Sequence, residues 1–114
     1  MRDPKERLRD ILQAIEAIDR YRACERGEFD QNEMLQVWFL RHLQIIGEAA
    51  RHVPDEVRGM APDIPWNKII GMRNILVHGY FTIDLDIVWD AVQQDVPLLN
   101  PAVVALLKQL ETQA

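Results

Sequence analysis

The stretch MLQVWFLRHLQIIGEAA, residues 34 to 50, decides the fold. At about 100° per residue its apolar side chains cover more than half of a helix circumference. They are Met34, Leu35, Trp38, Phe39, Leu43, Ile45, Ile46 and Ala49. A helix with so wide an apolar surface contacts neighbours on more than one side, so we expect it at the centre of a helical protein. Asp30, followed by Glu33, predicts its start, and Pro54 predicts its end at about Val53.

The rest of the chain also predicts helices, because apolar residues recur at spacings of three and four and no stretch alternates with period two. Caps, glycines and prolines mark the expected bounds. These bounds are Asp3 to about Arg26 with Gly27 as the stop, Trp66 to about His78 with Gly79 as the stop, Asp84 to a kink or break at Pro97, and a last helix from Asn100-Pro101. The prediction is all-α: a single domain over residues 1–114, folded as an antiparallel bundle of four to five helices.

Composition narrows the class of protein further. A chain of 114 residues with 48% apolar residues is not a disordered tail, and a net charge of −5 argues against non-specific coating of nucleic acid or anionic membranes. The charged N-terminus, the single Cys24 and the lack of a long apolar run favour a soluble, cytoplasmic protein with no membrane span. So short a chain buries a limited share of its surface, which favours a homodimer.

The segment GMRNILVHGY, residues 71 to 80, contains an arginine in an unusual position. Arg73 falls in the middle of an apolar arc on the predicted helix, which is formed by Trp66, Ile69, Ile70, Leu76 and Val77. An unpaired guanidinium is strongly unfavourable in such a place, so Arg73 either pairs with an acid or faces a cleft. Glu48 of the central helix is the expected partner.

Three more residues of this segment are candidates for a site. Asn74 and His78 are four residues apart on one flank, and Gly71 on that flank permits a close approach of another backbone. Tyr80 lies just beyond the predicted helix end. The residues alone leave structural roles open: an ion pair for Arg73, a cation near a helix C-terminus for His78, and ordinary surface or packing roles for the other two.

Other potential sites have weaker support in the sequence. His42 projects into the apolar arc of the central helix and is expected to be a hydrogen-bonded interior or interface histidine, whereas His52 is expected to be solvated. No histidine, cysteine or carboxylate pattern has the spacing of metal ligands, and no glycine-rich phosphate loop is present. We therefore expect neither a metal nor a cofactor.

RNILVHGY, residues 73 to 80, has the pattern R-x4-H-x-Y. Together with LQIIGEAARHVP upstream, the PW pair at the start of the helix and TID after it, this pattern resembles the HepT-like toxins of the HEPN superfamily, over about Leu8 to Leu99. The resemblance implies a HEPN-like helical homodimer that acts as a metal-independent endoribonuclease toxin. It also implies a cognate MntA-type nucleotidyltransferase as the antitoxin.

The same resemblance implies the roles of individual residues. Arg73 and His78 would be catalytic, Asn74 would be the accompanying polar residue, and Tyr80 would accept AMP from the antitoxin. These roles suit the chemistry: RNA cleavage without a metal needs a base, an acid and a cation for the phosphoryl oxygens. A dimer would bring a second histidine to one cleft, and AMP on Tyr80 would add bulk and negative charge beside it.

Two other functions are compatible with the sequence. One is a non-catalytic helical subunit that binds and regulates a nucleotidyltransferase, with Arg73 and Glu48 as a structural ion pair. The other is a nucleotide-binding accessory domain in which Arg73 and Asn74 hold a phosphate without cleaving it. The contribution of Arg41, Arg51 and Lys68 to RNA binding is open at this point.

Overall fold

The computed structural model describes residues 3–77 and 84–113, and this part of the chain is helical with no strand. The all-α prediction is therefore confirmed. Seven helices and one π-helical turn follow one another: α1 Pro4–Asp19, α2 Arg26–Gln31, α3 Glu33–Arg51, α4 Asp55–Arg58, α5 Trp66–Val77, α6 Leu85–Asp90, the π turn Ala91–Asp95 and α7 Val96–Thr112. The long elements are α1, α3, α5 and the continuous helical path from α6 to α7.

Helix α3 is central, as its wide apolar surface predicts. It packs against α1 on one side and α5 on the other, and α7 packs against α1. The core between these helices is built mainly from aliphatic side chains, with two phenylalanines, Trp66 and Met72; its largest fully buried members are Phe29, Phe39, Leu8, Ile11, Ile15, Ile18, Leu43, Ile46 and Leu106. Burial of these side chains, at about 25 cal/mol per Å² of apolar surface, is the main stabilising contribution.

The predicted end of the first helix at Arg26 is wrong. Helix α1 ends at Asp19, and the chain turns before the short helix α2, so that Gly27 lies inside α2 instead of ending α1. The reason is Phe29, which is fully buried and whose ring centroid lies 5.8 Å from that of Phe39 and 5.3 Å from that of Trp89. A straight continuation of α1 would not return this ring to the core.

The predicted start of the central helix at Asp30 is also wrong. Helix α3 begins at Glu33, and Asn32 caps it by accepting a hydrogen bond from the backbone N–H of Leu35 at 3.1 Å. The Asp30 carboxylate instead accepts a hydrogen bond from Arg26 Nε at 2.7 Å. Asparagine and aspartate are comparable caps, so local preference alone did not separate the two positions.

The sequence predicts a kink or a break at Pro97 and a new helix from Asn100-Pro101; the break and the separate helix are wrong. The helical path continues through both prolines to Thr112, because the turn before Pro97 is π-helical and the backbone N–H of Val96 bonds to the carbonyl of Ala91. A π turn moves its carbonyls out of α-helical register, which relieves the clash between a proline ring and the preceding turn. Burial of Val96, Leu99, Val103 and Leu106 on one stripe holds this path against the core.

Both helices that flank the R-x4-H segment start where the sequence predicts. Helix α5 begins at Trp66, and its described part reaches Val77; the predicted stop at Gly79 lies outside the described residues. Helix α6 is capped by Asp84, whose Oδ1 accepts hydrogen bonds from the backbone N–H groups of Asp86 at 3.1 Å and Ile87 at 3.2 Å. Among the described helices, none combines the length and apolar character that crossing a bilayer requires.

Candidate active site

Helices α3 and α5 approach each other closely at Gly47. A Cβ atom at this glycine would lie 3.1 Å from Arg73 Cβ and 3.1 Å from the carbonyl oxygen of Ile69, which is closer than side chains normally pack. The absence of a side chain at Gly47 therefore sets the distance between the helices. At Gly71, which would also permit a close approach, a Cβ would meet no described atom within 4 Å.

This approach brings Arg73 of α5 over Glu48 of α3. Arg73 Nε lies 2.6 Å from Glu48 Oε2, and both side chains keep part of their surface in solvent, 37% for Arg73 and 43% for Glu48. The ion pair between these residues, predicted from the sequence, is thus present, at the rim of the α3–α5 groove. Oε2 itself is screened from solvent and has no aligned hydrogen-bond donor among the described residues, so the contact is chiefly ionic.

Glu48 contacts two further side chains from its own helix end. Its Oε1 lies 3.1 Å from Nε2 of His52, and its Oε2 lies 3.9 Å from Nη1 of Arg51. The hydrogen bond from His52 is the largest cause of a lowered pKa of the Glu48 carboxyl; Arg73 and Arg51 lower this pKa further, and partial burial opposes them. Glu48 is therefore a carboxylate held between three partners.

His52 is a residue that the sequence reasoning missed, since it was expected to be solvated. Its side chain is 44% exposed, yet one ring nitrogen is committed to Glu48. The spacing of four residues between Glu48 and His52 places both on one helix face, and this spacing is the signal that would have found the contact.

The remaining residues of the predicted site are only partly covered by the structure. Asn74 is exposed on α5, one residue after Arg73. His78 and Tyr80 lie outside the described residues. The structure thus brings Arg73 and Glu48 together and adds Arg51 and His52 to them.

His42 differs from its expected hydrogen-bonded state. Its ring centroid lies 4.5 Å from that of Trp38, and both ring nitrogens are screened from solvent without a hydrogen-bond partner among the described residues. Burial lowers the pKa of His42, and the charges of Arg41 and Arg20 lower it further, so the neutral imidazole is favoured. His42 precedes Glu48 by six residues along α3.

Arg41, Arg51 and Lys68, whose contribution to RNA binding the sequence leaves open, lie in different places. Lys68 Nζ binds Asp95 Oδ1 at 3.0 Å and lies about 140° around α5 from Arg73, so it points away from Glu48. Arg51 belongs to the Glu48 cluster. Arg41 lies on the exposed face of α3, seven residues before Glu48, and has no ion pair within the described residues.

The exposed face of α3 carries unusual apolar surface. Met34 is 84% exposed and Val37 is 49% exposed, whereas the neighbouring Trp38 is half-buried and donates its Nε1–H to the carbonyl of Ala17 at 2.8 Å. Because Met34, Arg41 and Glu48 follow one another at intervals of seven residues, this apolar surface and the Glu48 cluster share one face of the helix.

The described residues contain no candidate metal centre. In the ranges 3–77 and 84–113, no three histidine, cysteine or carboxylate side chains come together as ligands of one ion would.

A family model described as "Ribonuclease HepT-like" matches residues 11–106. The chain belongs to the HepT-like family. It is 40% identical over 103 residues to a protein of Methanocaldococcus jannaschii named "Putative RNase MJ1380", a match that covers 90% of this chain and 94% of that protein. It is 36% identical over 100 residues to "Probable ribonuclease HepT" of Thermococcus cleftensis, covering 87% of this chain and 91% of the other.

A third relative extends over nearly the full length of both chains. "Putative RNase TTE0752" of Caldanaerobacter subterraneus subsp. tengcongensis is 34% identical over 110 residues, which is 96% of this chain and 98% of the relative. No solved structure matches the chain. Family membership identifies the protein as an enzyme of the ribonuclease class, with RNA as its class of substrate.

Proposed function

We propose that this protein is a metal-independent endoribonuclease and the toxin of a toxin–antitoxin pair, with Arg73 and His78 as its catalytic residues. The observation that carries the proposal is the one-sided contact of Arg73. Its Nε faces Glu48 Oε2 at 2.6 Å, and the described residues place no partner on its two terminal nitrogens. A guanidinium held in this way keeps two donors for the oxygens of a phosphate.

Arg73 supplies the cation that the reaction needs. Attack of a ribose 2′-hydroxyl on the adjacent phosphorus builds negative charge on the non-bridging oxygens, and a fixed, permanently charged guanidinium stabilises that charge. Glu48, held in turn by His52 and Arg51, orients Arg73 from behind. Asn74, exposed on the next position of α5, is the supporting polar residue.

His78 supplies the proton transfers in this proposal. It follows Arg73 by five residues in R-x4-H, and an imidazole near neutral pH can accept the 2′-hydroxyl proton or protonate the leaving 5′-oxygen. One chain contains one such histidine. A second copy supplies the other, so that one histidine acts as base and its counterpart as acid.

We place the homodimer contact on the exposed face of α3. Met34 and Val37 leave apolar surface in solvent on the same face as Glu48, and a second copy related by a two-fold axis would cover it. Contact along this face brings two Glu48–Arg73 pairs toward one cleft. The site is then complete only in the dimer.

Control by the antitoxin is assigned to Tyr80. The tyrosine follows the motif histidine by two residues, as in the R-x4-H-x-Y pattern, and an MntA-type nucleotidyltransferase would transfer AMP to its hydroxyl. The added phosphate is negatively charged and lies beside the RNA cleft, so it repels the substrate backbone without unfolding the enzyme.

The experiment that tests the activity is cleavage of a total RNA pool by the purified protein in excess EDTA. Wild type should cleave, whereas His78→Ala and Arg73→Ala should not, with unchanged oligomeric state and circular dichroism. Cleavage that requires added metal would contradict the metal-independent mechanism.

The Arg73–Glu48 ion pair is also compatible with a second candidate function, in which the pair only stabilises the fold. In that case the protein is a non-catalytic subunit that binds a nucleotidyltransferase. Absence of cleavage by a folded, unmodified wild-type dimer, with no toxicity when the chain is expressed alone, would favour this function. Co-expression with the nucleotidyltransferase then separates the two: the toxin should gain AMP on wild type and none on Tyr80→Phe.

A further inference from the structure

His52 lies at the end of α3, beside Glu48, and the proposed reaction involves it only through its contact with that carboxylate. Its Nε2 is 3.1 Å from Oε1 of Glu48, one helical turn earlier. Because a carboxylate only accepts hydrogen bonds, Nε2 carries the proton and donates it to this contact. His52 is thus linked to Arg73 through the two oxygens of one carboxylate.

The geometry of Glu48 on Arg73 is unusual for such a pair. A carboxylate beside a guanidinium commonly binds with both oxygens in a parallel fork, which occupies two guanidinium nitrogens. Here the two oxygens of Glu48 have different partners: Oε1 is hydrogen-bonded to His52, and Oε2 lies beside Nε of Arg73. The terminal nitrogens of Arg73 therefore have no partner among the described residues.

The charges around Glu48 also favour the approach of an anion to Arg73. Arg51 contacts Oε2 at 3.9 Å, so the carboxylate is shared by two guanidinium groups and one imidazole. With two arginines and one glutamate, the cluster carries a net positive charge even when His52 is neutral. An anion that approaches Arg73 meets attraction instead of the repulsion that a lone Glu48 would cause.

We propose that His52 is a positioning residue of the site. By holding Oε1 of Glu48, it prevents this carboxylate from binding Arg73 with both oxygens and leaves the terminal nitrogens of Arg73 for an RNA phosphate. This inference rests on the proposed ribonuclease function for the identity of the anion. It assigns to His52 no contact with the substrate.

The first test measures nucleic-acid binding and cleavage separately. The variants are His52→Ala, His52→Gln, and His52→Ala combined with Glu48→Gln. Binding is followed by fluorescence anisotropy with an oligonucleotide that has a 2′-deoxyribose at every position and so cannot be cleaved through a 2′-hydroxyl. The corresponding oligoribonucleotide gives kcat and KM in excess EDTA.

Loss of the imidazole should let Glu48 close on Arg73 with both oxygens. His52→Ala is then expected to raise Kd about tenfold, the effect of one charge-assisted hydrogen bond, and to lower kcat/KM by at least the same factor, because the same nitrogens of Arg73 stabilise charge in the transition state. His52→Gln, whose amide N–H can reach the same oxygen, should restore wild-type binding. The double variant should also bind better than His52→Ala, because a neutral amide at position 48 does not form the ionic fork.

The second test observes the guanidinium without any nucleic acid. In ¹⁵N-labelled protein, the side-chain signals of Arg73 are identified by their loss in Arg73→Lys. A two-sided ion pair slows rotation about the Cζ–Nη bonds, so His52→Ala should show slowly rotating terminal nitrogens that wild type and His52→Gln do not.

These readouts separate the inference from the proposed function. Unchanged Arg73 signals in His52→Ala, or equal binding by His52→Ala and wild type, would overturn the role of His52. A wild type that binds the oligonucleotide and shows the Arg73 effect, but cleaves no RNA, would overturn the ribonuclease mechanism and leave the role of His52 standing. A fall in melting temperature without a change in binding would make His52 merely structural.

Discussion

At the scale of single residues, the site depends on one glycine and one carboxylate. Gly47 allows Arg73 to lie against α3, and Glu48 then binds the Arg73 guanidinium at 2.6 Å. The apolar arc of α5 predicts that Arg73 pairs with an acid, and its pairing with Glu48 is confirmed; the pair is partly exposed, whereas the sequence predicts an internal one. That Gly47 and not Gly71 is the close-packed glycine follows from the facing helix, which local sequence does not specify.

Gly47→Ala should therefore destabilise the protein and disturb the site. The added methyl group would lie 3.1 Å from Arg73 Cβ and from the backbone of Ile69, so α5 must move outward. We expect a loss of about 1–3 kcal/mol in the free energy of unfolding, measured with urea. Gly71→Ala is the matched control: its Cβ meets no described atom, and alanine is the better helix former by about 1 kcal/mol. Equal loss in both variants would contradict the packing role of Gly47.

The lowered pKa of Glu48 predicts a pH-dependent contribution to stability. A carboxyl whose pKa is lower in the folded state stabilises the fold above its unfolded pKa, and this contribution disappears as the pH falls through the folded pKa. Glu48→Gln should cost less than about 1 kcal/mol at pH 7, because both partners are partly exposed to solvent.

The difference between wild type and Glu48→Gln should begin to shrink as the pH falls to the ordinary glutamate pKa of 4.5, and it should vanish only below the lowered pKa of the folded state. Urea titrations of both proteins from pH 7 downward measure it. A difference that persists in acid would show that something other than the charge of Glu48 is responsible.

At the scale of helices, the caps and turns decide where the R-x4-H segment is anchored. Helix α5 leads into the segment, and Asp84 fixes the start of the helix that follows it. Arg26 links α2 to α6, since its Nη2 donates a hydrogen bond to Asp86 Oδ1 at 2.6 Å. The π turn explains why Pro97 does not end this helix. Proline rules describe a regular α-helix, and they do not foresee a wider turn that core packing stabilises.

Asp84→Ala should destabilise the start of α6. It removes the acceptor for two backbone N–H groups, those of Asp86 and Ile87, and the expected cost is about 1 kcal/mol of unfolding free energy. Glu25→Ala is the control, because Glu25 precedes α2 without a side-chain cap bond and should be near neutral. Thermal denaturation of both variants checks this, and a neutral Asp84→Ala would show that packing alone holds α6.

At the scale of the whole molecule, the exposed face of α3 is the surface that a second copy would cover. Met34 and Val37 are exposed there, on the same face as Glu48. Leu98 is also exposed, at 76%, but it lies on α7 beside a cavity of about 280 Å³ that faces the other side of α3. Leu98 is therefore a control for Met34 and Val37: it is an exposed apolar residue outside the face that a second copy would cover.

If the proposed dimer forms on this face, Met34→Glu combined with Val37→Glu should convert it to monomer and abolish RNA cleavage. Four carboxylates would face one another across the two-fold axis, and their repulsion and desolvation oppose association. Leu98→Glu should remain a cleaving dimer. Analytical ultracentrifugation and circular dichroism together measure association and folding. A double variant that stays dimeric would move the interface elsewhere.

The sequence by itself determined the helical class, the central position of α3 and the pairing of Arg73 with Glu48. These follow from periodicity and from the cost of an unpaired guanidinium, which are properties of a helix and its immediate surface. Only the tertiary structure decided where α1 ends, which glycine is close-packed, how the chain passes Pro97 and what His52 binds. Each of these depends on which atoms of another element, or of another turn, lie within a few ångströms, and the helix period of one segment carries no information about that distance.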